Sequence, residues 1–161
     1  MCLALIRKGD QGRARQLAAN NRAAIAVMER SQGGGELHLV LGELAFADED
    51  IAATLDEIDQ SLRIFRAMGI KESVPWVFVL LARALHRQGE SEQGALVLGI
   101  EAGWGERASF NHLSGDQAVV DAVADELRTV LGDERFDEQL AAGRALDDDG
   151  AYATALEMAG G

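Results

Sequence analysis

The chain predicts an all-α fold: tetratricopeptide-like helix-pair repeats, an α-solenoid with a right-handed superhelix, closed by a C-terminal helical cap. Three observations predict it. Composition is the first: hydrophobic residues make up 48%, aromatics 5%, and there is a single proline, with Ala and Leu the commonest residues and Glu and Arg abundant, a mix that favours helix over strand. The second is Val74 to Gly99, VPWVFVLLARALHRQGESEQGALVLG, which reads as two antiparallel helices about a tight turn at Gln88-Gly89-Glu90. The third is recurrence. Gly9-Asp10, Glu49-Asp50 and Gly89-Glu90 stand at a constant period of 40, with no insertions. Five residues after each first position stands a small residue (Ala14, Thr54, Gly94), and four further on an apolar one (Ala18, Ile58, Leu98). Leu41-Gly42 and Leu81-Ala82 lie eight residues before the second and third turns. A small residue at that place lets the second helix of a pair lie close against the first.

The elements follow in order. Repeats occupy 1–102, a connecting loop 103–114, and capping helices 115–161. Only Cys2 to Lys8 represents the first helix of repeat one, so the chain is expected to be a fragment of a longer protein or a truncated gene product, with an unsatisfied N-terminal packing face. Ser31 to Gly35, SQGGG, reads as a flexible linker. Glu36 to Ala47 is the next first helix. Ile51, Leu55, Ile58, Leu62 and Phe65 step by four and three, an apolar seam of helical period. Gly69 ends that helix, with Ile70 placed for a Schellman contact. Ser73 is the expected N-cap of the central helix, and Pro75 suits its first turn, where no N–H is needed. Trp76 to Leu85 is apolar on most sides, as in a helix buried between neighbours. Gly89 supplies the left-handed residue that ends it. Gly103 to Ser114 breaks the period and reads as loop. Ser114 and Gln117 form a capping box; Val120, Val123, Leu127 and Val130 share a face, and Gly132 stops the helix. Asp133 caps the next helix, which carries Phe136 and Leu140 and ends at Gly143. Asp147-Asp148-Asp149 opens the last, with Tyr152, Ala155 and Leu156.

Net charge is −12 and the pI about 4.6. An acidic chain is repelled by phosphate backbones and anionic membranes, which argues against direct nucleic-acid or membrane binding. Cys2 is the only cysteine, which excludes an internal disulfide and suits a reducing compartment. The start MCLALIRKG lacks a secretory apolar region, and no apolar run approaches the roughly 20 residues of a membrane span. A cytoplasmic protein is expected. Of the histidines His38, His86 and His112, none has another at i+4, so no helical metal site is signalled. His86 suits a helix C-terminus through the dipole. His112 and Asp116 fall in the irregular loop. Asp147-Asp148-Asp149-Gly150 lacks the alternating ligands and the twelfth-position Glu of an EF-hand, so it reads as a helix start. Charge is segregated: Arg7, Lys8, Arg13, Arg15, Arg22 and Arg30 make the first repeat basic, whereas Glu36, Glu43, Asp48, Glu49, Asp50, Asp56, Glu57 and Asp59 make the second acidic.

From Leu80 onward, packing motifs follow in a set order. Ala95-Leu96-Val97-Leu98-Gly99-Ile100-Glu101 precedes a long acidic helix. Leu131-Gly132-Asp133-Glu134-Arg135-Phe136, Gly143-Arg144-Ala145-Leu146 and Ala151-Tyr152-Ala153-Thr154-Ala155-Leu156 come after it. This series resembles the C-terminal tetratricopeptide-like helical region of actinobacterial ATP-binding LuxR-type regulators and of the related cyclase-linked ATPases. The resemblance implies an ATPase switch upstream and often a helix-turn-helix domain downstream. The chain has no G-x-x-x-x-G-K-[ST] segment, and no basic recognition helix follows Leu156, so neither activity carries over to these residues.

The function expected is therefore a non-catalytic protein-interaction or regulatory sensor segment, without cofactor. No nucleophile–base pair or ligand cluster can be assembled from local motifs. The partner is a protein, a peptide or a neighbouring domain of a longer chain. It would lie across the first helices of the pairs near Leu41, Glu43, Trp76, Leu80 and Arg83. Trp104, between two glycines, would serve as a further anchor, Trp being a frequent hot-spot residue. Two alternatives stand beside it: a small-molecule inducer held near Trp76 or Trp104, and a homodimer formed through the truncated first repeat.

Overall fold

The computed structural model describes residues 10–17, 32–108 and 114–160, with side chains of the last stretch from 117 onward, and every regular element among them is helical. Seven helices follow in order: α1 (Gln32–Ala47), α2 (Ile51–Met68), α3 (Val74–Arg87), α4 (Ser91–Ala108), α5 (Ser114–Leu131), α6 (Asp133–Arg144) and α7 (Asp148–Gly160). Residues 11–17 are helical as well. None of these helices is long and apolar enough to cross a membrane.

The 40-residue register has a local geometric basis. Glu49 and Gly89 both have positive φ, 61° and 89°. After them, the N–H groups of Asp50 and Glu90 bond back to Ala45 and Leu85 at 3.0 and 2.9 Å, the six-to-one bond of a Schellman turn. Glu49 holds the left-handed conformation without glycine's freedom. Asp10 and Asp50 then cap the following helices: their Oδ1 atoms accept the N–H of Arg13 and Ala53 at 3.2 and 3.0 Å. Ala14, Thr54 and Gly94, four residues after each cap position, are all buried. A methyl on Gly94 would come within 3.0 Å of the Ala82 carbonyl oxygen on α3, which is why that place takes a small residue. Ala18 lies outside the described residues.

Several expected boundaries are corrected by close helix packing. Gly33 to Gly35 is not a linker but the first turn of α1. Gly35 sits against the Phe65 ring, where a Cβ would come within 2.4 Å, and its carbonyl accepts the Ser61 hydroxyl at 2.9 Å. Glycine's low helix propensity is overridden there by contact with α2. The loop drawn over 103–114 is likewise wrong at its start, because α4 runs on to Ala108. Gly103 is there for close approach to the Arg144 backbone of α6, not to break a helix. α6 ends one residue past Gly143, at Arg144, as expected to within a residue, and Gly143 is buried in its last turn. Gly132, φ 76°, does end α5, and it rather than Asp133 stands at the N-cap of α6. Ser73 makes no cap bond; its hydroxyl points to Glu36, 3.5 Å away. The Ser114 cap lies outside the described side chains. The Gly69–Ile70 end of α2 forms as expected, with Ile70 N–H bonded to the Phe65 carbonyl at 3.0 Å. Asp147 Oδ1 accepts the Gly150 N–H at 2.8 Å and so caps α7.

Consecutive helices α1 to α4 pack as antiparallel neighbours, and α1, α3 and α5 also touch side by side. The C-terminal helices do not simply close the end of this stack. α6 lies tightly along α4, and α7 crosses back to α2, also touching α3 and α4. The core runs between these layers: Phe65, Phe78, Leu80, Leu81, Ile100, Trp104, Leu127 and Phe136 are fully buried.

Trp104 and Tyr152 join α4 to α7. Their rings meet edge-on at 5.2 Å, and Phe78 of α3 meets Trp104 at 5.6 Å. Lys71 and Arg107 both hold Asp148, at 2.7 and 3.0 Å, at the start of α7. Burial, and then the Asp148 charge, push the Tyr152 hydroxyl up to about 12. Tyr152 is the only tyrosine, so the ultraviolet absorbance of its ionised phenol reports α7 alone. The folded chain should titrate near 12 and the urea-unfolded chain about two units lower. Since the neutral phenol is the form favoured on folding, this contribution is intact below the unfolded value and is lost as pH rises through the folded one. A folded-state midpoint at the unfolded value would mean that α7 is not docked.

Candidate functional site

The C-terminal turns of α1 and α3 set the site. Glu43 and Phe46 lie one turn apart on α1, and Arg83, His86 and Arg87 share a face of α3 at helical spacing. Glu43 and Arg83 stand at equivalent places 40 residues apart, which brings them opposite each other. One nitrogen of the Arg83 guanidinium, Nη1, lies within hydrogen-bond distance of both Glu43 oxygens, at 3.0 and 2.9 Å, with about a fifth of each side chain exposed. A charge-assisted, partly shielded pair of this kind is stronger than a surface ion pair. The Phe46 ring lies beneath two cations, Arg83 at 4.2 Å and Arg87 at 5.8 Å from its centroid.

Two open compartments meet over this cluster. One, about 580 Å³, is bounded by Gln11, Glu43, Phe46, Glu49, Ile51 and Arg87 among others. Its neighbour, about 350 Å³, lies between α3 and α5 and carries an apolar wall of Ala118, Val119, Ala122 and Val123. Phe46, Arg83 and Arg87 line both. Together they form a groove across α1, α3 and α5.

His86 closes one side. Its Nδ1 is 3.0 Å from Ser91 Oγ and its Nε2 3.9 Å from Glu126. The three residue types suggest a nucleophilic relay, but Ser91 is buried and lines neither compartment, and the Glu126 distance is too long for a hydrogen bond. The contact ties the end of α3 to the start of α4. Among the described residues no group of three or more His, Cys, Asp or Glu could hold a metal ion. His38 meets Glu57 at 2.6 Å, an α1–α2 contact away from the groove. His112 and Cys2 lie outside the described residues.

The structure brings together only two of the six residues singled out from sequence, Glu43 and Arg83. Leu80 is fully buried beneath α1, against Gly42, and cannot reach a partner. Trp104 is corrected most sharply. It is 1% exposed, inside α4, with its indole N–H donating to the Lys71 carbonyl at 3.1 Å. Leu41 and Trp76 are half-buried and line neither compartment. Sequence reasoning missed Phe46, Arg87 and Val119. The signal for Phe46 and Arg87 was present: each is one turn beyond Glu43 or Arg83 on the same helix face. Comparison with known proteins adds nothing to this geometry, since no family model, curated protein or solved structure matches the chain.

Proposed function

We propose that this chain is a protein-interaction module built of tetratricopeptide-like helix pairs, which receives a partner peptide in the groove across α1, α3 and α5. One observation carries the reading. α6 and α7 cover α2 and α4, whereas the α1–α3–α5 flank carries two adjoining open compartments that share Phe46, Arg83 and Arg87; a third, about 500 Å³, lies apart between the α3–α4 turn and α7 and has no aromatic residue in its lining. The identical turns 40 residues apart support the repeat class. Grooves lined by a few aromatic and charged anchors over an apolar wall suit extended or helical peptides. Both compartments are open to solvent and neither tryptophan lines them, which favours a peptide over an enclosed small-molecule inducer. In a longer regulator of the kind that the C-terminal motifs resemble, occupation of the groove would alter the angles between helix pairs and so bias the neighbouring domain.

A random dodecamer library displayed on phage tests this. Panning against the purified chain should yield binders. Ala122 is exposed on the apolar wall, so Ala122→Trp fills that compartment without entering the core. It should weaken the selected peptides by about tenfold or more, with stability held within about 0.5 kcal/mol. Binders indifferent to Ala122→Trp, or no binders at all, overturn the proposal.

A further inference from the structure

The charges of the groove do not cancel evenly. Three carboxylates border it: Glu43, Glu49 and Glu126. Glu43 is committed to Arg83 at 2.9 Å, and Glu126 faces His86 at 3.9 Å. Glu49 stands in the turn at the outer rim. Arg87 differs. It is exposed, it rests near the Phe46 ring at 5.8 Å, and no carboxylate pairs with it among the described residues. It also stands at the junction of the two compartments, beside the Ala118–Val119–Ala122 wall.

We infer that the groove selects a partner segment in which one side-chain carboxylate stands next to an apolar residue, the carboxylate pairing with Arg87 and the apolar side chain seated against Val119 and Ala122. The inference rests on the interaction reading above and names the class of peptide. A guanidinium offers a planar fork that a carboxylate meets with two hydrogen bonds, and the aromatic face behind it holds that fork in place. Among the described residues that line the groove, Arg87 is the one cation without a carboxylate partner, and a single guanidinium beside Glu43, Glu49 and Glu126 fits a monoanion. A phosphate dianion would need further cations and would meet repulsion from Glu43, Glu49 and Glu126. The chain's net charge of −12 adds a long-range constraint. A strongly acidic partner would be repelled before docking, so the residues flanking the carboxylate should be neutral or basic.

The dodecamer selection also decides this. Peptides recovered on the wild-type chain should share one Asp or Glu within two residues of a Leu, Ile, Met or Phe, with non-acidic flanks. Replacing that carboxylate by its amide should weaken binding by about tenfold to a hundredfold. Arg87→Gln should weaken the parent peptide by the same factor and leave the amide peptide unchanged, the signature of a direct pair. A consensus without a carboxylate overturns the inference. So does an amide peptide that loses as much on Arg87→Gln as on the wild type. If Ala122→Trp still blocks such peptides, the groove reading stands and only the carboxylate pairing falls. Peptides indifferent to Ala122→Trp, or no peptides, remove both.

Discussion

Gly143→Ala is expected to destabilise the chain by about 3 kcal/mol or more, at the upper end for overpacked sites. The sign is the informative part. In an ordinary helix interior, alanine in place of glycine stabilises by roughly 0.5–1 kcal/mol. Gly143 is inside α6, where a Cβ would come within 1.9 Å of the Leu96 carbonyl oxygen and 2.8 Å of the Ile100 nitrogen. Both atoms belong to the backbone of α4, so no side-chain rotation relieves the overlap. Gly99 presents the same situation from the other helix, 2.1 Å from the Leu140 carbonyl oxygen. The helices must separate, and contacts made by Phe136 and Ile100, both fully buried, loosen with them. Urea unfolding followed by circular dichroism measures the change. Because the two glycines face one crossing, Gly99→Ala should cost a similar amount, and the double variant less than the sum. A neutral or stabilising Gly143→Ala would mean that α4 and α6 do not cross at this distance.

The same crossing explains what was legible in the sequence and what was not. Turn chemistry is local, so the Gly69 and Gly89 helix ends and the small residues at Ala14, Thr54 and Gly94 can be placed from pattern alone. A helix-interior glycine carries the same letter whether it ends a helix or admits a neighbour. Gly33 to Gly35 and Gly103 therefore read as linker and loop, and only the neighbouring helix reveals Gly35 and Gly103 as contacts; Gly143 is placed near its helix end by pattern, but its contact with α4 is not. The groove had a comparable fate. Glu43 and Arg83 follow from placing the partner across the first helices of the pairs; that they face each other 40 residues apart is seen only in the structure. α5 begins 40 residues after α3, but it runs to Leu131, four residues longer than α3, so the register is lost at its turn. Val119 and Ala122 precede that turn; they lie beside the core face marked by Val123 and Leu127, and the pattern alone does not separate a groove wall from that face. Leu80 and Trp104 read as anchors by chemical character, and side-chain character alone does not separate an anchor from a core residue.

Trp104→Ala is expected to cost about 3–5 kcal/mol, the range for removing a large buried aromatic. That is a large share of the 5–15 kcal/mol typical of a domain. Trp104 is 1% exposed, edge-on to Phe78 and Tyr152, and its N–H satisfies the Lys71 carbonyl in the segment between α2 and α3. Truncation leaves a cavity among α3, α4 and α7 and an unpaired carbonyl beside it. Trp104→Phe brings the two effects closer to separation: it keeps an aromatic ring in the site but loses the hydrogen bond and part of the buried volume, so its cost should be smaller than that of Trp104→Ala, about 1–3 kcal/mol. A second readout locates the damage. With its ring neighbour gone, Tyr152 becomes hydrated, and its titration should move down from about 12 toward the unfolded value. An exposed anchor would behave in the opposite way, with Trp104→Ala changing stability by no more than about 0.5 kcal/mol and leaving the tyrosine titration in place. The two measurements thus decide whether this tryptophan belongs to a binding surface or fastens α7 to the helices that carry the groove.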